Sequence, residues 1–243
     1  QVELDFFLHA IENYDIFHFH SGFGLFRPKS IFGSSCREFE FLKRMGKKIV
    51  MHWWGCDRRT EKIDGNYKYS ACKVCLPELK ASNRACKDYS VYDIADQYAD
   101  VQLANGDLSA SLPHLKWMNN AIDTELWRPM SIDEIPKEHQ LPSTDNLRIF
   151  HALGNSESRG DAKGSSAIKN AVEKLQAEGE KVEFIFFDKV PNTELRFYQA
   201  QADIVVEQLR AGWHGSTAVE CMACGKPVIL YIRPEVEPIS PKD

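Results

Sequence analysis

The feature that most constrains the fold is a rhythm. Apolar runs of strand length, each leading through a polar loop into an amphipathic stretch, recur from Asp15 to Ile232. Such alternation builds parallel sheets, because a strand returns parallel to its neighbour only through a long crossover, usually a helix. In the first half a helical stretch over Val2 to Ile11 precedes an aromatic-rich strand, Asp15 to His20, that ends in a polar loop. His18 and His20 alternate along that strand, and we expect one ring to point into the protein and the other away. Ser35 as N-cap, Glu38 as its capping-box partner and Gly46 at C′ then predict a helix. Cys36, Phe39, Leu42 and Met45 recur along one face of it. The run KKIVMHWW (47–54) reads as a second buried strand, completing a βαβ unit whose crossover should be right-handed. A helix near 88–97 and strands near 101–104 and 115–118 follow.

From 123 to 146 prolines and mixed charges replace any periodicity, which reads as an interdomain linker. The βα rhythm then resumes. Strands are expected at 147–153, 182–187, 203–208 and 226–232, and helices at 165–178, 192–201 and 215–224. Ile168, Ala171, Val172 and Leu175 form the buried face of the first of these helices, which stops at Gly179. The expected organisation is an N-terminal Rossmann-like domain over 1–122 carrying a cysteine-bearing insertion at 56–86, the linker 123–146, and a C-terminal Rossmann-like domain over 147–243.

Composition narrows the function. Apolar residues make up 43 % of the 243, enough for a sizeable core. No apolar run approaches the ~18–20 residues that a membrane span needs. The net charge of −5 argues against a nucleic-acid partner. Seven cysteines is an odd number, and no secretory leader opens the chain, so a reducing compartment is expected. Cys72 and Cys75 have the knuckle spacing of a thiolate zinc site, and Cys56 and Cys86 would complete four ligands. Reduced thiols and a disulfide are the alternatives. Cys36, Cys221 and Cys224 fall on expected helices as core filler.

Parallel sheets of this type bind ligands at the carboxyl ends of their strands. There, Gly215, Ser216 and Thr217 open a helix, presenting backbone N–H groups and a positive dipole end to an anion. Glu220 lies one turn in, where a carboxylate can accept two hydrogen bonds from a ribose diol. An ordinary strand–helix–strand junction with a solvated glutamate fits the same residues equally well. No Gly-x-Gly-x-x-Gly follows a strand, which disfavours a nicotinamide-dependent enzyme.

Five segments, in order, resemble the retaining glycosyltransferases of family 4. They are YDIFHFHSG (14–22), KKIVMHWWGCD (47–57), MNNAIDTELWRP (118–129), SRGDAKGSSAIKNAVEKL (158–175) and AVECMACGKPVI (218–229). The resemblance implies a GT-B-like α/β fold of two facing Rossmann-like domains with mostly parallel sheets. It implies transfer of a hexosyl unit, with retention, from a UDP- or GDP-sugar to a glycan or lipid-linked acceptor, with no metal for the chemistry. Arg159 and Lys163 would grip the donor diphosphate, with Gly164 allowing close passage and Gly215, Ser216 and Thr217 adding donors. Glu220 would hold the ribose. His20 and Asp57 would face the acceptor as catalytic residues, with Trp54 and His214 as further substrate contacts. A cytoplasmic protein, peripheral at the inner face of the membrane, would follow from a lipid-linked acceptor.

Three departures favour an alternative, a catalytically impaired module that binds nucleotide or glycan. The family's Glu-x7-Glu motif has Glu220 as its second member, but its first falls on Gly212, with Glu207 out of register. The family histidine after the second strand falls on Trp54, with His52 on its threonine. Relative to the family the N-terminal domain reads as incomplete, and the chain as shortened at both ends.

Overall fold

A computed structural model describes residues 2–26, 36–78, 90–153 and 161–239. The chain divides into two units: 1–63 with 80–119 and 238–243, and 64–79 with 120–237.

In the first unit α1 (Val2–Asn13) precedes β1 (Ile16–His20), and α2 (Glu38–Arg44) precedes β2 (Lys48–Trp53). A short helix, α3 (Glu61–Asp64), begins in this unit. Then come α4 (Ser90–Tyr98), β3 (Val101–Ala104), α5 (Gly106–Ser111) and β4 (Lys116–Trp117). The four strands pair in parallel in the order β1-β2-β3-β4. Phe17 and Phe19 of β1 join Phe7 and Ile11 of α1, Phe39 and Leu42 of α2, and Ile49, Met51 and Trp53 of β2 in one core. Helix α2 ends where the sequence says it should. Gly46 adopts φ +74, and the Gly46 and Lys47 N–H groups bond back to the Lys43 and Leu42 carbonyls, a Schellman motif.

The start of α2 differs from the expectation. Ser35 lies outside the described residues, and Arg37 occupies the N-cap position without a side-chain cap. Glu38 is fully buried and accepts a hydrogen bond from the Leu25 N–H, so its carboxylate serves the neighbouring loop. Burial pushes its carboxyl up from the ordinary value, against the backbone N–H groups that bond it. Helix α5 was not expected, because Gly-Asp-Leu-Ser-Ala-Ser carries no apolar period. It forms where Gly106 lets the Trp117 ring approach, a Cβ there falling 2.6 Å from the ring.

In the second unit β5 (Leu147–Leu153), α6 (Ser165–Ala177), β6 (Val182–Asp188), α7 (Asn192–Ala200), β7 (Ile204–Val206), α8 (Ser216–Ala223) and β8 (Val228–Ile229) follow in sequence. These strands are also all parallel, in the order β6-β5-β7-β8. Phe150, Ala152, Ile185, Leu195, Val205 and Cys221 form its core. Strand β8 is much shorter than the expected 226–232, because its partner β7 is itself three residues long. Residues 64–79 belong to this unit through Asp64. Its buried carboxylate accepts from Arg233, from the Ser70 hydroxyl and from the Cys72 N–H. The Arg233 guanidinium lies 3.8 Å from the centre of the Tyr67 ring, and Tyr69 meets Tyr231 edge-on at 5.2 Å. No described helix is long and apolar enough to cross a membrane.

Candidate active site

Strand ends in the second unit gather a compact polar group. Strand β5 runs to Leu153, and Arg159 lies outside the described residues. Lys163 sits on the turn before α6, fixed by a hydrogen bond from the Leu209 N–H to its carbonyl. Gly164 N-caps α6 in the left-handed region, φ +83, with Leu209 Cβ 3.1 Å from where its own Cβ would stand. The Lys163 ammonium donates to the Ala152 carbonyl at 3.3 Å and pairs with the Glu207 carboxylate at 3.0 Å. Glu207, 1 % exposed at the end of β7, accepts the Gly215 N–H on its other oxygen at 2.9 Å. One carboxylate thus links the cation to the helix-opening glycine. A side chain at Gly215 would meet Glu207 at 2.8 Å.

Ser216 and Thr217 form the first turn of α8, where backbone N–H groups lack intrahelical partners. The Ser216 hydroxyl accepts from Asn120 at 3.2 Å. Glu220 is buried beneath them, receiving Asn192 on one oxygen at 3.2 Å and Gln199 on the other at 3.3 Å. Each carboxylate oxygen has a second lone pair, so acceptor capacity remains for a diol. His214 is half-buried, its ring 4.4 Å from that of Trp213.

His151 underlies the group from β5. Its Nδ1 lies 2.7 Å from the Val206 carbonyl, which can only accept, so the proton sits on Nδ1 and Nε2 accepts from the Ser165 hydroxyl at 2.8 Å. Burial pushes this imidazole down to about 4. It is neutral at pH 7 and adds no charge beside Lys163.

Gly212 has φ +82, and a Cβ there would fall 2.4 Å from the Arg233 side chain. The buried arginine therefore occupies the space that a side chain at 212 would need. Gly212→Glu is expected to lower the stability of the second unit by at least about 1–2 kcal/mol from the left-handed backbone alone. A melting temperature equal to that of the parent chain would refute this.

Strand ends in the first unit hold a second group. Asp57 accepts the Trp54 N–H at 2.9 Å and the Gly55 N–H at 2.6 Å, clamping the turn after β2. The Trp54 indole N–H donates to His20 Nδ1 at 3.0 Å, and its ring stacks 4.1 Å from that of His52. His18 and His20 do not point to opposite faces. Residues two apart share a face of a strand; both are exposed while Phe17 and Phe19 face the core, and their rings stack at 4.4 Å. His52 joins them through the register that sets it opposite His20, which local spacing does not reveal. The sequence signal for Glu207 is a carboxylate directly after an apolar strand.

Cys56 is exposed, Cys72 and Cys75 are half-buried, and Cys86 lies outside the described residues. Among the described residues, three metal-ligating atoms come together only in His18, His20 and His52.

Two Rossmann-like units with wholly parallel sheets, each with polar residues at its strand ends, define an α/β fold of the GT-B type. No protein-family model matches the sequence, and comparison with curated proteins gives no match. Similar solved structures include the catalytic domain of starch synthase IV from Arabidopsis thaliana bound to ADP and acarbose (TM-score 0.53, 12 % identity, 94 % of this chain, 59 % of that one). Sucrose-phosphate synthase from Thermosynechococcus elongatus is similar at TM-score 0.50 and 14 % identity, over 94 % of this chain and 59 % of that one. HepE from Anabaena in complex with UDP-glucose matches at TM-score 0.50 and 15 % identity, over 99 % and 66 %. At such identities the likeness establishes the fold. The chain spans 59 to 66 % of the length of these structures.

Proposed function

We propose that the chain is a nucleotide-sugar-dependent glycosyltransferase that moves a hexosyl unit, with retention, to a glycan or lipid-linked acceptor. The observation that carries this reading is the link from Lys163 through Glu207 to Gly215, at the strand ends beside the opening of α8. A departing nucleoside diphosphate gains negative charge as the glycosidic bond breaks, and positioned cations and N–H donors stabilise that charge. Lys163, oriented by Glu207, and the first turn of α8 at Ser216 and Thr217 are suited to this, with Arg159 as a second cation. Glu220 accepts the ribose hydroxyls. In this reading 147–243 binds the donor and 1–122 the acceptor, where His20 and Asp57 lie at strand ends, Asp57 by holding the turn that carries Trp54. The support from comparison is that HepE was solved with UDP-glucose and starch synthase IV with ADP.

Gly212 favours a second reading, in which the module binds nucleotide without turnover, because Arg233 fills the place of the donor-side glutamate. Both readings predict nucleotide binding, and sugar transfer distinguishes them. UDP, GDP or ADP at about 100 times its dissociation constant should stabilise the chain by about 2.7 kcal/mol, read as a rise in melting temperature. Lys163→Ala and Glu220→Ala should abolish the rise. If no nucleotide shifts the parent chain, both readings fail; a shift without transfer to any acceptor leaves the second.

A further inference from the structure

The histidine cluster in the first unit has no part in donor binding, and its geometry points elsewhere. We propose that His18, His20 and His52 form a binding site for a divalent transition-metal ion of the zinc class, with three imidazole ligands and a fourth position open to solvent.

Two observations carry this. Strand β1 puts His18 and His20 on one face, and the register of β1 with β2 sets His52 opposite His20. One ring nitrogen from each lies within 4.8 Å of the others. Zinc–imidazole bonds of about 2.0–2.1 Å need nitrogens roughly 3.4 Å apart, so modest side-chain rotation closes the site. The second observation is His52 itself. It is 1 % exposed, and neither ring nitrogen has a hydrogen-bond partner among the described residues. A buried polar group left so is rare, and an ion or a water is the usual reason. Imidazole ligands suit zinc, nickel, copper and cobalt.

Trp54 is the built-in competitor. Its indole N–H takes the Nδ1 lone pair of His20, which leaves the proton of a neutral ring on Nε2. A metal at Nδ1 displaces the indole directly. A metal at Nε2 moves the proton to Nδ1, which can then no longer accept. Either way metal binding releases the Trp54 N–H, and tryptophan emission should report it.

The test is titration of the chelator-treated full chain with Co²⁺ and Zn²⁺, followed by visible absorption, calorimetry and tryptophan emission. The expected result is one Co²⁺ with imidazole-type d–d bands and no thiolate charge transfer. Loss of a direct ligand in His18→Gln or His52→Gln should weaken binding by about 100-fold or more, at least matching the loss of an outer-shell partner. Trp54→Phe should tighten it several-fold, and Cys72→Ser with Cys75→Ser should leave it unchanged. His18 is exposed, so His18→Gln tests the site even if His52→Gln fails to fold. Absence of binding, equal binding in the histidine variants, or a thiolate band lost with the cysteines would overturn the proposal. Nucleotide shifts measured on the same samples report on the second unit, so failure of the glycosyltransferase reading is recognised separately.

Discussion

Arg233→Ala should cost the second unit about 3–5 kcal/mol, measured by denaturant unfolding at pH 7. Arg233 is 1 % exposed and pairs with a carboxylate, Asp64, that is fully buried. Burial alone would raise the Asp64 carboxyl, but the Ser70 hydroxyl, Arg233 and the Cys72 N–H hold it below its ordinary value. Truncating the arginine strands that charge in a low-dielectric site, and the penalty is mostly the stranding, not the lost attraction. Asp64→Asn keeps an acceptor for Ser70 and Cys72, so the double variant Arg233→Met with Asp64→Asn should recover much of the loss. A cost below about 1 kcal/mol for Arg233→Ala, as for an exposed pair, would show that the pair is solvated.

The second large effect is acid sensitivity from His151. In the unfolded chain this imidazole takes a proton at its ordinary 6.5; in the folded chain burial postpones that to about 4. Between these values the unfolded state binds more protons, so stability falls as pH falls. Its contribution is fully present above pH 6.5 and is lost down to pH 4, by about 3 kcal/mol, from 1.36 kcal/mol per unit of pKa difference. His151→Gln can still bond Ser165 and Val206 and should flatten this part of the stability–pH profile. A variant with the parent's slope between pH 6.5 and 4 would place the acid sensitivity elsewhere.

How much the sequence disclosed depended on distance along the chain. The alternation of strands and helices was readable because apolar spacing is local, and Gly46 marks its helix end through three or four neighbouring residues. The parallel sheets followed from that alternation. The role of Glu38 is not local, because the partner that claims its carboxylate, Leu25, lies 13 residues earlier in a loop without pattern. Glu207 lay one strand end away from recognition, and only the pairing of β7 with β5 brings it to Lys163. His18 and His20 are legible without tertiary structure, since period two puts such a pair on one face.

The Asp64–Arg233 pair also sets an order of events. The two residues are 169 positions apart, so on a ribosome the carboxylate emerges long before its counterion exists. Burying Asp64 before Arg233 exists would strand its charge, and the second unit draws its first piece from ahead of 120–237. Contacts of such separation carry a high loop-closure cost and form late.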